Sequence, residues 1–164
     1  MTVETKPEVE FRHRHGPDAV EPEDYAAINA VYGVLLAGVV LATRERVKQD
    51  PIRSGELLPL GAATFAVSKV IAREKIGTWV REPFVEDASH GGRPRGRRIQ
   101  RALGELVTCS RCMGAWSALG VVGLRAASPE AGRLVTAILA TSAVNDWLQA
   151  GFAWARAKAN QVPN

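Results

Sequence analysis

Long stretches of this chain run without charge, and the charges gather in three places: the N-terminal region, 44–53 and 73–101. That segregation suits lipid better than water. The clearest apolar stretch is 25–43, nineteen residues in which Asn29 is the only strongly polar side chain. At ~1.5 Å per residue such a helix spans roughly 28 Å, close to the ~30 Å hydrocarbon thickness of a bilayer. Its apolar residues surround the whole helix, whereas a surface helix of a soluble protein keeps a polar face. Ala26, Ala30, Gly33, Ala37 and Gly38 are small enough to admit a neighbouring helix at close range.

Three further segments follow. The stretch 57–72 carries Pro59 and Gly61 early and Lys69 late; it spans if Lys69 snorkels or is paired, or else lies partly in the interface. An amphipathic continuation over 73–80 puts Trp79 at headgroup level, and Glu82-Pro83-Phe84 interrupts it. A loop over 87–96 leads to a short helix over 97–107. The stretch 112–127 is flanked by Arg111 and carries Arg125 near its end, so a span there relies on arginine snorkelling and local thinning. Ser128-Pro129-Glu130 is a tight connection with helix-initiating residues. The stretch 134–155 is long enough to cross, with Asn145 and Asp146 inside it and Trp147 and Trp154 toward its end. The fold expected is all-α: a membrane-embedded bundle of about four helices with a basic cytoplasmic loop. Its parts are a disordered polar arm at 1–24, a helical membrane domain at 25–157 and a polar tail at 158–164. Asp24 is placed to cap the first helix.

A chain of 164 residues with 46% hydrophobic residues suffices for one domain. Its net charge of +4 admits three destinations: nucleic acid, an anionic membrane surface, or the cytoplasmic loops of a membrane protein. Aromatics make up only 6% and do not alternate with basic residues, which removes the stacking platform that nucleic-acid binding requires. If four segments span, the N-terminal arm, the central loop and the tail share about fourteen cations against about six on the opposite side. The excess places both termini and the central loop in the cytoplasm, with the protein in the inner (plasma) membrane. The first 24 residues hold no apolar core of the signal-peptide kind, so the first hydrophobic helix is expected to direct insertion itself.

Candidate chemistry is sparse. Cys109 and Cys112 form one C-x-x-C, too few cysteines for a disulfide framework. At a helix start, with Arg111 beside them, the thiols have the surroundings of a reactive dithiol. The pair also supplies half of a tetrahedral zinc site, with His90 or a second subunit completing it, or it is simply a packing corner or structural disulfide. Lys69 and Asp146 each sit in an apolar stretch, where an isolated charge costs several kcal/mol. They are expected to pair near the cytoplasmic side, as a register-fixing ion pair or as a proton or ion relay. Arg93, Arg95, Arg97, Arg98 and Arg101 make the most basic part of the chain and the candidate contact for lipid or a partner. Phe11-Arg-His-Arg-His15 is read as a solvated tail, with metal or acidic headgroups as the alternative. There is no P-loop, dinucleotide fingerprint, H-E-x-x-H or G-x-S-x-G, and the three histidines form no triad, so no enzyme activity is expected.

Three stretches carry a family resemblance. Arg73-Glu-Lys-Ile-Gly-Thr-Trp-Val-Arg-Glu-Pro-Phe84, Gly104-Glu-Leu-Val-Thr-Cys-Ser-Arg-Cys-Met-Gly-Ala-Trp116 and Ala140-Thr-Ser-Ala-Val-Asn-Asp-Trp-Leu148 resemble the signatures of the DUF1360 proteins. These are small bacterial membrane proteins of unknown function, some of them labelled as sporulation proteins. The likeness covers roughly 25–157 and implies a multi-pass membrane fold but no reaction. The function expected is that of an anchor or scaffold subunit in the lipid bilayer. It would dock a protein partner, a second copy or anionic lipid, and bind no nucleic acid and no cofactor. The alternative is a membrane thiol-redox or zinc-binding protein using Cys109 and Cys112.

Overall fold

The computed structural model describes residues 20–86 and 92–160. Within them the chain is all-α, with six helices and a single isolated bridge, Val85 to Pro94, in place of any strand. The helices are α1 (Pro22–Gln49), α2 (Ser54–Arg73), α3 (Thr78–Arg81), α4 (Ile99–Thr108), α5 (Ser110–Ala127) and α6 (Pro129–Ala159). A 3-10 turn, Lys75–Gly77, joins α2 to α3.

The starts and stops follow local chemistry. Glu21 caps α1, and Asp24, three residues in, accepts the Glu21 N–H at 3.0 Å. Asp24 is therefore the inner half of a capping box rather than the cap itself, because Pro22 takes the first helical position, where a missing N–H costs nothing. Pro129 likewise takes the first helical position of α6, after Ser128 at its N-cap. The expected continuation of α2 past Arg73 is broken: Glu74 is extended, and the chain turns before resuming as α3. The buried Arg81 guanidinium accounts for that break. It donates to the Ile71 carbonyl at 2.5 Å and to the Glu74 carbonyl at 3.0 Å, satisfying acceptors that the end of α2 leaves open.

Helices α2, α5 and α6 pack on one another, and α1 stands outside them against α5 and α4. The α2–α6 seam is made of Ala62, Ala66 and Ala143, and the α2–α5 seam of Leu60, Ala63 and Val121. Ala63 and Ala143 are fully buried. Small residues there let the backbones approach, which is the packing that holds helices together where surrounding lipid is as apolar as the side chains. Gly132 serves the same end at the α5–α6 turn, where a Cβ would stand 2.3 Å from the Arg125 Cα.

By length and composition α1 and α2 can each cross a membrane. Helices α4 and α5 meet at 86° and count as a third span if the pair is taken as one. With 31 residues α6 is long enough, but Asn145, Asp146 and Gln149 dilute it and it is not among the helices apolar enough by composition. Little of α1 is covered: Val34 is 72% exposed and Leu41 64%. A Cβ at Gly33 or Gly38 would meet nothing within 4 Å, so among the described residues no helix packs on these two glycines.

Candidate functional site

Cys109 is the one residue between α4 and α5, in an extended conformation that turns the chain through the corner. It caps α5. Its Sγ accepts the Cys112 N–H at 3.3 Å and lies 2.7 Å from the Cys112 Sγ, which donates its S–H. Both thiols are free; Cys109 is half-buried and Cys112 exposed. These donors, first the Cys112 thiol and then its backbone N–H, with Arg111 adding positive charge, hold the Cys109 thiol below its ordinary pKa. A groove of about 560 Å³ between α1, α4 and α5 opens on the pair. Tyr32 and Trp116 meet edge to face on its wall, centroids 5.2 Å apart, and Tyr25 donates to Glu105 at its rim.

Two cysteines supply two of the four ligands of a structural zinc. Among the described residues no group of three or more His, Cys, Asp and Glu could hold a metal ion. His90, and likewise His13 and His15, lie outside the described residues.

Lys69 and Asp146 meet across 77 positions of sequence, with Lys69 Nζ 3.0 Å from Asp146 Oδ2. The ammonium also lies 2.9 Å from Glu74, a partner the sequence did not suggest because it sits beyond the end of α2. Lys69 and Asp146 are each about one third exposed and Glu74 43%; Lys69 and Glu74 stand at the C-terminal end of α2.

The basic stretch is dispersed. Arg98, at a positive φ of 48°, faces three carboxylates at the start of α1: Glu21 at 3.2 Å, Asp24 at 3.4 Å and Glu23 at 3.7 Å. Arg101 reaches Glu105 one turn on, at 3.7 Å. Arg93, Arg95 and Arg97 are exposed on the same end. Helix α4 is strongly amphipathic: Ala102 and Val107 are buried while Gln100 and Arg101 face out. Gly104 lies so close to the 84–94 segment that a Cβ would stand 2.5 Å from the Phe84 carbonyl oxygen.

The opposite end holds a cluster that sequence reasoning missed. Arg125 is 1% exposed; its Nε lies 2.5 Å and its Nη2 3.0 Å from the two Glu56 oxygens, and its Nη1 3.3 Å from Asp50. Arg133 adds bonds of 2.6 and 2.9 Å to Asp50. Arg125 thus turns inward instead of snorkelling outward, because two carboxylates await it, Asp50 at the end of α1 and Glu56 in the first turn of α2. The partners lie 69 and more positions away, beyond any local pattern. The only sequence signal was an arginine too close to the preceding one to bound a full span.

This is a helical protein with two or three helices apolar enough to cross a membrane, and its composition fits membrane association. The chain belongs to the DUF1360 family, described as a protein of unknown function, which matches residues 59–152. No curated protein and no solved structure matches it. The three stretches that resemble the family signatures converge on one end of the bundle: α3 and the turn before it, the Cys109 corner, and the turn of α6 that bears Asp146.

Proposed function

We propose that this chain is a multi-pass integral membrane protein of the cytoplasmic membrane that anchors or docks a partner through its signature-bearing end. The observation that carries the reading is α1. A ring of large apolar side chains, Val31, Val34, Leu35, Leu36, Val40 and Leu41, is exposed around it, an arrangement stable in lipid and costly in water. On this reading α4 lies along the membrane surface, apolar face inward, and Cys109 sits just ahead of the α5 span. With α6 crossing as a fourth span despite its polar residues, the positive-inside rule puts this end and both termini in the cytoplasm on this reading. There the exposed Arg93, Arg95 and Arg97 face acidic headgroups or an acidic protein surface, each contributing about 1 kcal/mol near an anionic bilayer.

Alkaline carbonate washing followed by detergent extraction tests the anchor. The protein should remain in the pellet and dissolve only with detergent; release by carbonate would overturn the reading. In nanodiscs, native mass spectrometry should find anionic phospholipid retained by the wild-type chain and lost from an Arg93→Ala, Arg95→Ala, Arg97→Ala variant. Equal retention by both would leave a protein partner as the occupant.

A further inference from the structure

The Cys109 corner carries more chemistry than a packing corner needs. The two sulfurs lie side by side, one of them is exposed, and they open onto a groove with apolar and aromatic walls. At about 560 Å³ that groove falls within the range of small-molecule sites. Ile28, Tyr32, Leu106 and Trp116 form its walls, Asn29 and Arg111 bring hydrogen-bond donors to it, and the Glu105 carboxylate, which accepts from Tyr25, stands at its rim. Such a lining suits a flat apolar ring that carries oxygen acceptors. It does not suit a peptide disulfide, whose backbone N–H and C=O groups need many polar partners, nor a highly charged tripeptide thiol.

We propose that Cys109 and Cys112 are a redox-active dithiol that reduces a lipophilic quinone seated in this groove. The proposal rests on the membrane reading only for the route by which the quinone arrives. The step balances: the two S–H bonds break and one S–S bond forms. The electron pair so released passes to the quinone, and the two thiol protons end on its two oxygens, giving the quinol and an intramolecular disulfide. The sulfurs, 2.7 Å apart, need only a short approach to the ~2.05 Å of an S–S bond. Cys109 is the nucleophilic thiol, as the acceptor of both Cys112 donors at the start of α5.

The test uses the full chain, reduced, freed of reductant and held in detergent, with decylubiquinone as the probe. Its fully substituted ring resists addition of thiols. Quinone absorbance and mass after maleimide labelling are followed together. The expected result is one quinol formed per chain with loss of both free thiols, abolished in Cys109→Ser and in Cys112→Ser. Trp116→Ala, at an unchanged melting temperature, should slow the reaction at least about tenfold. Oxidation no faster than that of free dithiothreitol at equal concentration would overturn the proposal. So would a Trp116→Ala rate equal to wild type, or faster oxidation by glutathione disulfide than by the quinone. A chain that stays in solution without detergent would sink the membrane reading alone, since this assay needs no bilayer.

Discussion

Arg125 and Glu56 form a two-point ion pair, Nε to Oε2 at 2.5 Å and Nη2 to Oε1 at 3.0 Å, with the arginine only 1% exposed. It ties the start of α2 to the end of α5. Asp50 and Arg133 extend it to the ends of α1 and the start of α6, so one network closes the end of the bundle opposite the cysteines. Glu56→Ala removes both of the short bonds and leaves the buried guanidinium with Asp50 alone, at 3.3 Å. The variant should therefore cost about 1.5–3 kcal/mol, read as a fall in the detergent-solubilised melting transition. A loss no larger than that of an exposed control such as Glu45→Ala would show that the network contributes little.

Lys69 bridges two carboxylates, and this makes its removal unequal to that of its partners. Asp146→Ala leaves Lys69 with Glu74 at 2.9 Å. Lys69→Met leaves Asp146 and Glu74 facing each other without a cation. With Lys69 and Asp146 about one third exposed and Glu74 43%, the expected costs are of order 1 kcal/mol for Asp146→Ala, between exposed and buried pairs, and larger for Lys69→Met. Unfolding in mixed micelles would rank them; the reverse order would refute the bridging role.

Gly132 and Gly120 make a matched pair. A Cβ at Gly132 would stand 2.3 Å from the Arg125 Cα, while at Gly120 it meets nothing within 4 Å. Gly132→Ala should destabilise by about 1–3 kcal/mol as the α5–α6 corner is forced apart. Gly120→Ala should be neutral or stabilise by up to about 1 kcal/mol. Thermal melts of the two single variants decide the matter.

The pH dependence of Cys109 alkylation has a definite sign. Its thiol is held below the ordinary value, chiefly by the Cys112 S–H donor. Thiolate is therefore populated at lower pH than in a free thiol, and the alkylation rate should rise through a midpoint below that of a free thiol. Cys112→Ala, which removes the donor, should move the midpoint up; Cys112→Ser, which keeps an O–H donor, should move it less. In linkage terms a depressed folded pKa stabilises the fold above the unfolded value, and that contribution fades as pH falls through the folded one. Stopped-flow maleimide labelling across pH would measure the midpoint, and a midpoint at or above that of a free thiol would refute the polarity of the pair.

Much of this protein was legible from local pattern alone. The all-round apolar stretch at 25–43 lies within α1, and Ser128-Pro129 marks the start of α6. The short helix before the cysteines is α4, and Cys109 stands at the first turn of α5, because caps, prolines and hydrophobic runs act over a few residues. Lys69 and Asp146 were conspicuous as charges in apolar stretches, since an unpaired charge there is costly. What only the tertiary structure decided are the relations between distant residues. Glu74 joins Lys69, Arg98 turns to the carboxylates that open α1, Arg81 closes the end of α2, and Arg125 faces inward to Glu56 and Asp50. Such partners lie on other elements, and the bundle's topology, set by which helix faces pack, brings them within a few ångströms. The groove beside Cys109 and Cys112 has the same origin: its walls come from α1, α4 and α5, and it exists because the α4–α5 corner bends by 86° beneath a helix that packs on only one side.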